Sequence, residues 1–108
     1  MKIFVIQGKV DVYEDAHIWP ARAFYEEKQA NDHIEKIKMI LEFLKNYREY
    51  FYKNNLDASD RNLRKDEMFI GKARELAGLD EHFKYHDEYI SCEEIDTYEY
   101  EVFPVELI

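Results

Sequence analysis

Along residues 2–12, apolar side chains recur with a period of two. Phe4, Ile6, Val10 and Val12 fall on one face, and Ile3 and Val5 on the other. That pattern predicts a first strand over about Lys2 to Val12. Its early part is apolar on both faces, which places it in the middle of a sheet. Glu14-Asp15 reads as the tip of a turn, and a second strand over roughly His17 to Phe24 completes a hairpin. Pro20 inside it cannot donate to a ladder, so this strand belongs at an edge.

The period then changes. Ile34, Ile37, Leu41, Leu44 and Phe51 recur at spacings of three, four and seven, and Ile40, Phe43 and Tyr47 widen the stripe. A long helix is expected from Glu26, with Glu26 and Glu27 in a first turn that favours acids, to a stop at Asn54-Asn55. Leu56 to Lys65 is polar and reads as a loop. Ser59 or Asp60 could cap a second helix, with Asp66-Glu67 as a later start. Met68, Phe69, Ala73, Leu76 and Ala77 give that helix an apolar face, and Gly78 is placed to follow its last turn as the C′ residue. Asp80 to Asp96 fits no single template. The last strand is expected over about Thr97 to Leu107. Tyr98, Tyr100 and Val102 share one face, and Phe103, Val105 and Leu107 call for a change of register near Pro104.

The order β-β-α-α-β predicts an α+β fold in one domain over residues 1–108. The crossover of two helices returns the last strand antiparallel to the second. The apolar first strand sits between them, in the order 2-1-3, with the long and the shorter helix on one face of the sheet. The last strand is then an exposed edge.

At 46% hydrophobic and 16% aromatic, the chain has the material for a packed core, and its 36% charged residues favour solubility. Charge is unevenly placed. All 15 Lys and Arg and 16 of the 24 acids lie before Tyr85, so residues 85–108 hold eight acids and no Lys or Arg, and almost all of the net −9. Nucleic-acid binding needs a basic patch and is disfavoured. A basic partner protein, steered by the acidic end, remains open beside a purely solvating role. One cysteine, Cys92, excludes an intramolecular disulfide, and no apolar run nears the ~20 residues of a membrane helix. A cytoplasmic location is expected, with no membrane or cofactor.

Three glycines leave no phosphate-cradling loop, and no serine lies in a nucleophile elbow. Glu93 and Glu94 beside Cys92 disfavour a thiolate. His82 and His86, four apart with Asp80, Glu81 and Asp87 close by, would share a face if helical, but no third metal ligand is marked. His17 and His33 stand alone as surface residues, and no apolar setting singles out one carboxylate for acid–base work. Neither a catalytic nor a metal-binding set is assigned, and the chain is not read as an enzyme. The tyrosines point elsewhere. Tyr50 and Tyr52 fall off the core stripe of the long helix, and Tyr98 and Tyr100 stand among Glu93, Glu94, Asp96, Glu99 and Glu101. Tyrosines among carboxylates suit a surface that meets Arg and Lys, and these nine residues form the candidate partner site.

The opening Ile3-Phe4-Val5-Ile6, the acidic Tyr13-Glu14-Asp15 turn, Ala23-Phe24, the Glu26-Glu27-Lys28-Gln29-Ala30 helix start and the final Tyr100-Glu101-Val102 resemble small acidic proteins of phages and mobile elements. That class includes anti-CRISPR proteins and other inhibitors of host defence. The match covers the two ends of the chain and not residues 56–96, and it carries no catalytic residue. The resemblance implies an inhibitor in the cytoplasm of a bacterial host, docking on a basic surface of a larger host protein, such as a nucleic-acid-binding or CRISPR-like defence protein. Two other readings stand beside it. One is a small metal-dependent enzyme using His82 and His86. The other is a self-associating module, such as a homodimer, joined through the long helix or the strand edges.

Overall fold

β1 (Lys2–Val12) is the central strand, flanked by β2 (Asp15–Phe24) and β3 (Glu99–Glu106), both antiparallel to it, in the order β2-β1-β3. Between β2 and β3 come α1 (Glu27–Lys53), α2 (Glu67–Leu79), a short α3 (Glu81–Tyr85) and a 3-10 turn over Cys92–Thr97. The fold is α+β, with the strand order the sequence predicts. This computed structural model describes residues 1–12, 15–54, 66–85 and 92–107. The expected turn residue Glu14, the stop at Asn55, the loop Leu56 to Lys65 with its caps Ser59 and Asp60, and His86 lie outside the described residues.

One face of the sheet is sealed by helices. Ile6 and Val10 of β1, Trp19 of β2 and Tyr100 of β3 join Ile34, Ile37, Leu41 and Leu44 of α1 and Phe69, Ala73, Leu76 and Ala77 of α2 in one buried cluster. Trp19 and Phe24 are five residues apart and would lie on opposite faces of a regular strand. Both pack toward the helices because β2 carries a bulge: Ile6 faces Arg22 while Gln7 faces Pro20, which leaves Ala21 as the extra residue. Pro20 thus sits at a bulge on an edge strand, where its missing N–H is tolerated.

Gly8 is opposite both Trp19 and Tyr100. A Cβ at residue 8 would run into the indole ring, so the bare backbone is what lets Trp19 lie flat over β1. α2 starts at the later of the two expected positions. The Asp66 carboxylate accepts the N–H groups of Met68 and Phe69, each at 3.1 Å.

Five details depart from the sequence reading. β3 runs parallel to β2 and not antiparallel to it, because both pair antiparallel with β1 between them. β2 begins at Asp15, two residues early, so Asp15 is a strand residue. Met68 is exposed, since it precedes the buried stripe of Phe69, Ala73, Leu76 and Ala77. Gly78 is inside α2 and does not follow it. The helix runs on to Leu79 because the Asp80 N–H closes the last turn onto the Leu76 carbonyl at 3.0 Å. Near Pro104 there is no change of register, because pairing with β1 runs unbroken from Lys9↔Glu99 to Lys2↔Glu106. Phe103, Val105 and Leu107 instead alternate onto the face of the sheet away from the helices, each 40–42% exposed.

The glycines separate these cases experimentally. Gly8→Ala is expected to destabilise the protein by about 1–3 kcal/mol, the cost of overpacking. Gly78→Ala, at a helical position with open space around it, is expected to stabilise by about 0.5–1 kcal/mol. Urea unfolding measures both, and a loss of stability in Gly78→Ala would restore it as a left-handed cap.

Candidate functional site

The residue between α2 and α3 organises the interior. Asp80 is 0% exposed. Its N–H ends α2, and its Oδ1 accepts the His82 N–H at 3.0 Å, which caps α3. Its Oδ2 accepts the indole N–H of Trp19 at 2.9 Å and the hydroxyl of Tyr100 at 2.8 Å. Every side-chain partner of the carboxylate is a donor, which is what an acceptor-only group requires. One residue, through its side chain and its backbone N–H, therefore ties β2, β3 and two helices together. His82 stacks on Trp19 with ring centroids 4.2 Å apart and planes 24° apart, and Tyr98 and Tyr100 meet the indole edge-on at 6.0 and 6.2 Å. Burial, followed by the charge and hydrogen bond of Asp80, raises the Tyr100 pKa far above the usual phenol value.

This cluster is closed. Nothing in solvent reaches Asp80 without local opening, so the group acts as a tie and presents no reactive face. His82, one of the two histidines of the alternative metal-enzyme reading, stacks on Trp19, and His86 lies outside the described residues. Among the described residues no three His, Cys, Asp or Glu side chains are grouped to hold a metal ion. Among them also, no helix is long and apolar enough to cross a membrane.

The proposed partner residues divide. Tyr98 and Tyr100 are 4% and 3% exposed, which corrects their expected role. Their period-2 face is the face the helices cover, and Tyr100 spends its hydroxyl on Asp80. Tyr50 is exposed and stacks on Tyr47 at 6.3 Å, while the Tyr47 hydroxyl donates to Asp66. The side chains of Tyr52, Glu93 and Glu94 lie outside the described ones. Asp96 is paired with Arg48 at 2.6 Å, so its charge is offset. Lys45 Nζ donates to the Tyr98 carbonyl at 3.2 Å, and Lys38 and Lys45 line an open groove between α1 and β3 together with Glu42, Glu99 and Glu101. The acidic end is folded against a basic flank of α1, which no count along the chain reveals.

Glu99 and Glu101 remain exposed, and neither makes an ion pair among the described residues. Both lie on the face away from the helices, opposite Lys9 and Gln7. Two other histidines are also placed. His17 is exposed on β2. His33 is half-buried and hydrogen-bonds the Leu79 carbonyl through Nε2 at 2.8 Å, pinning α1 to the end of α2.

Sequence reasoning named Asp80 only as a neighbour of His82 and passed over Trp19. Two signals were present. An Asp between two helical stretches is a cap residue, and a glycine inside an apolar strand marks a close approach.

Trp19→Phe and Tyr100→Phe each remove one donor from the buried carboxylate and are expected to cost about 1–3 kcal/mol. Because the folded state holds the Tyr100 proton more tightly than the unfolded state, that contribution is complete below about pH 10. It declines by up to about 1.4 kcal/mol per unit above it. Urea midpoints at pH 8 and pH 11 check this. Tyr100→Phe should flatten the alkaline loss, and an equal loss in both proteins would contradict the assignment.

Comparison of the chain with protein-family models, with curated proteins and with solved structures returned no match.

Proposed function

We propose that the protein is a small acidic protein-binding module of the inhibitor type, which docks on a basic surface of a larger host protein. The supporting observation is that Glu99 and Glu101 stand exposed on a sheet face that no described helix covers, in a chain segment without a single Lys or Arg. Charges so placed steer association with a basic surface and lose that effect as salt screens them beyond ~8–10 Å. The phage-type resemblance supports a host nucleic-acid-binding or defence protein, such as a CRISPR-like complex, as the class of partner. The burial of Tyr98 and Tyr100 moves the contact from tyrosines to carboxylates.

Affinity capture from bacterial lysate, at low and high salt, tests this reading. Wild-type protein is compared with a variant carrying Glu93→Gln, Glu94→Gln, Glu99→Gln and Glu101→Gln. Asp96 is left intact because it holds Arg48. The wild type is expected to retain one or more basic proteins at low salt and release them at high salt. The variant should capture several-fold less while melting within a few degrees of wild type. Equal capture by both proteins, insensitive to salt, would reduce the acidic end to a solvated face. The metal-enzyme alternative has its own check: a chelator is expected to leave the thermal midpoint unchanged, and a drop of several degrees would make His82 a ligand.

A further inference from the structure

The face of the sheet opposite the helices has an order of its own. The pairing register sets its rows across β3, β1 and β2: Glu99–Lys9–Ile18, then Glu101–Gln7–Pro20, then Phe103–Val5–Ala23, with Val105–Ile3 beyond. Side chains paired across strands are about 5 Å apart, so these rows are contiguous. One half carries the two carboxylates, with Lys9 opposite Glu99 and with Gln7, Ile18 and Pro20 beside them. The other half is apolar and carries no ionisable side chain. Phe103 and Val105 are each 40% exposed there, and Ile18 is 59% exposed at the acidic end.

From this arrangement we infer that the uncovered face is the docking surface, and that its occupant is a protein surface with two cations beside an apolar strip. The inference rests on the reading of the protein as a module for basic partners and gives that reading a location. Glu99 and Glu101 are two residues apart on one strand, so their carboxylates are roughly 7 Å apart. The complementary surface presents two Arg or Lys groups at that spacing, and the apolar strip continues from them along the direction of β3.

A second copy of this chain fits the face poorly. With strands of the two copies running alike, the acidic rows of both gather at one end, and among the described residues Lys9 is the only base on the face to offset them. With strands opposed, Glu99 and Glu101 of each copy lie on the apolar half of the other and lose water without gaining a partner. Overlap of the apolar halves alone covers roughly 13 Å by 14 Å, under 200 Å², against about 800 Å² per partner in a standard interface. A basic partner uses both halves of the face, roughly 370 Å² by the same spacings, which is the area of a small, transient interface.

The test is an NMR titration of the ¹⁵N-labelled 108-residue chain with a synthetic peptide, Arg-Thr-Arg-Thr-Leu-Thr-Val, and with the same peptide carrying Glu in place of both Arg. Shifts are expected with the Arg peptide only, confined to residues 3–9 and 99–105, and to shrink with salt. Phe103→Ser and Glu101→Gln should each weaken binding by about three- to tenfold, and Glu35→Gln on α1 should not change it. Either of the first two substitutions suffices if the other perturbs the melt. Salt-sensitive shifts from the Arg peptide on α1 or its groove would overturn the face and leave the basic-partner reading standing. Equal binding of both peptides, without salt dependence, would overturn that reading itself. The location also fails if no shift occurs at millimolar peptide, or if sedimentation shows a dimer that Phe103→Ser dissolves.

Discussion

A buried carboxylate is costly unless donors surround it. Asp80 meets that condition by drawing an indole, a phenol and a backbone N–H onto its two oxygens. Much of the fold follows. Trp19 must lie over β1 to reach Asp80, so residue 8 must be glycine. β2 must bulge at Ala21 so that Phe24 still turns inward beyond Trp19. Tyr100 must face the helices, which sends its neighbours Glu99 and Glu101 to the other side of the sheet. The hydrogen bonds that seal one face thereby decide what the open face carries.

Charge is distributed in space differently from its order along the chain. The last 24 residues look like an uncompensated acidic tail, yet Arg48 holds Asp96 and the Lys38–Lys45 flank of α1 runs beside the start of β3. The Arg48 side chain is largely buried in its pair with Asp96, so this contact fixes the approach to β3. Glu99 and Glu101 border the groove that Lys38 and Lys45 line, while strand alternation sends their side chains to the side of the sheet opposite Tyr100, and this gives them their place in the functional reading.

The strands, the long helix and the order β2-β1-β3 were legible because period-2 and 3.6-residue patterns report burial directly. Phe103, Val105 and Leu107 misled for an instructive reason. Apolar residues in alternation were assumed to seek the core, whereas here they occupy the face that no described helix covers, and no register change is needed to account for them. Tyr98 and Tyr100 were legible as one face but not as the inner one, since tyrosine is at home on either side. The Asp80 tie joins residues 61 and 20 positions apart, a relation that local pattern does not contain. Gly78 followed the usual rule for helix ends, and the rule yielded to Asp80, whose caps set both helix boundaries.

The most direct measurement is hydrogen exchange at the indole N–H of Trp19, a single resonance because the chain has one tryptophan. If Asp80 holds that proton in the sealed interior, it should exchange as slowly as the most protected core amides, through global unfolding. Exchange at the rate of exposed β2 amides would show that the indole is open to water, and would contradict the tie on which this account of the fold depends.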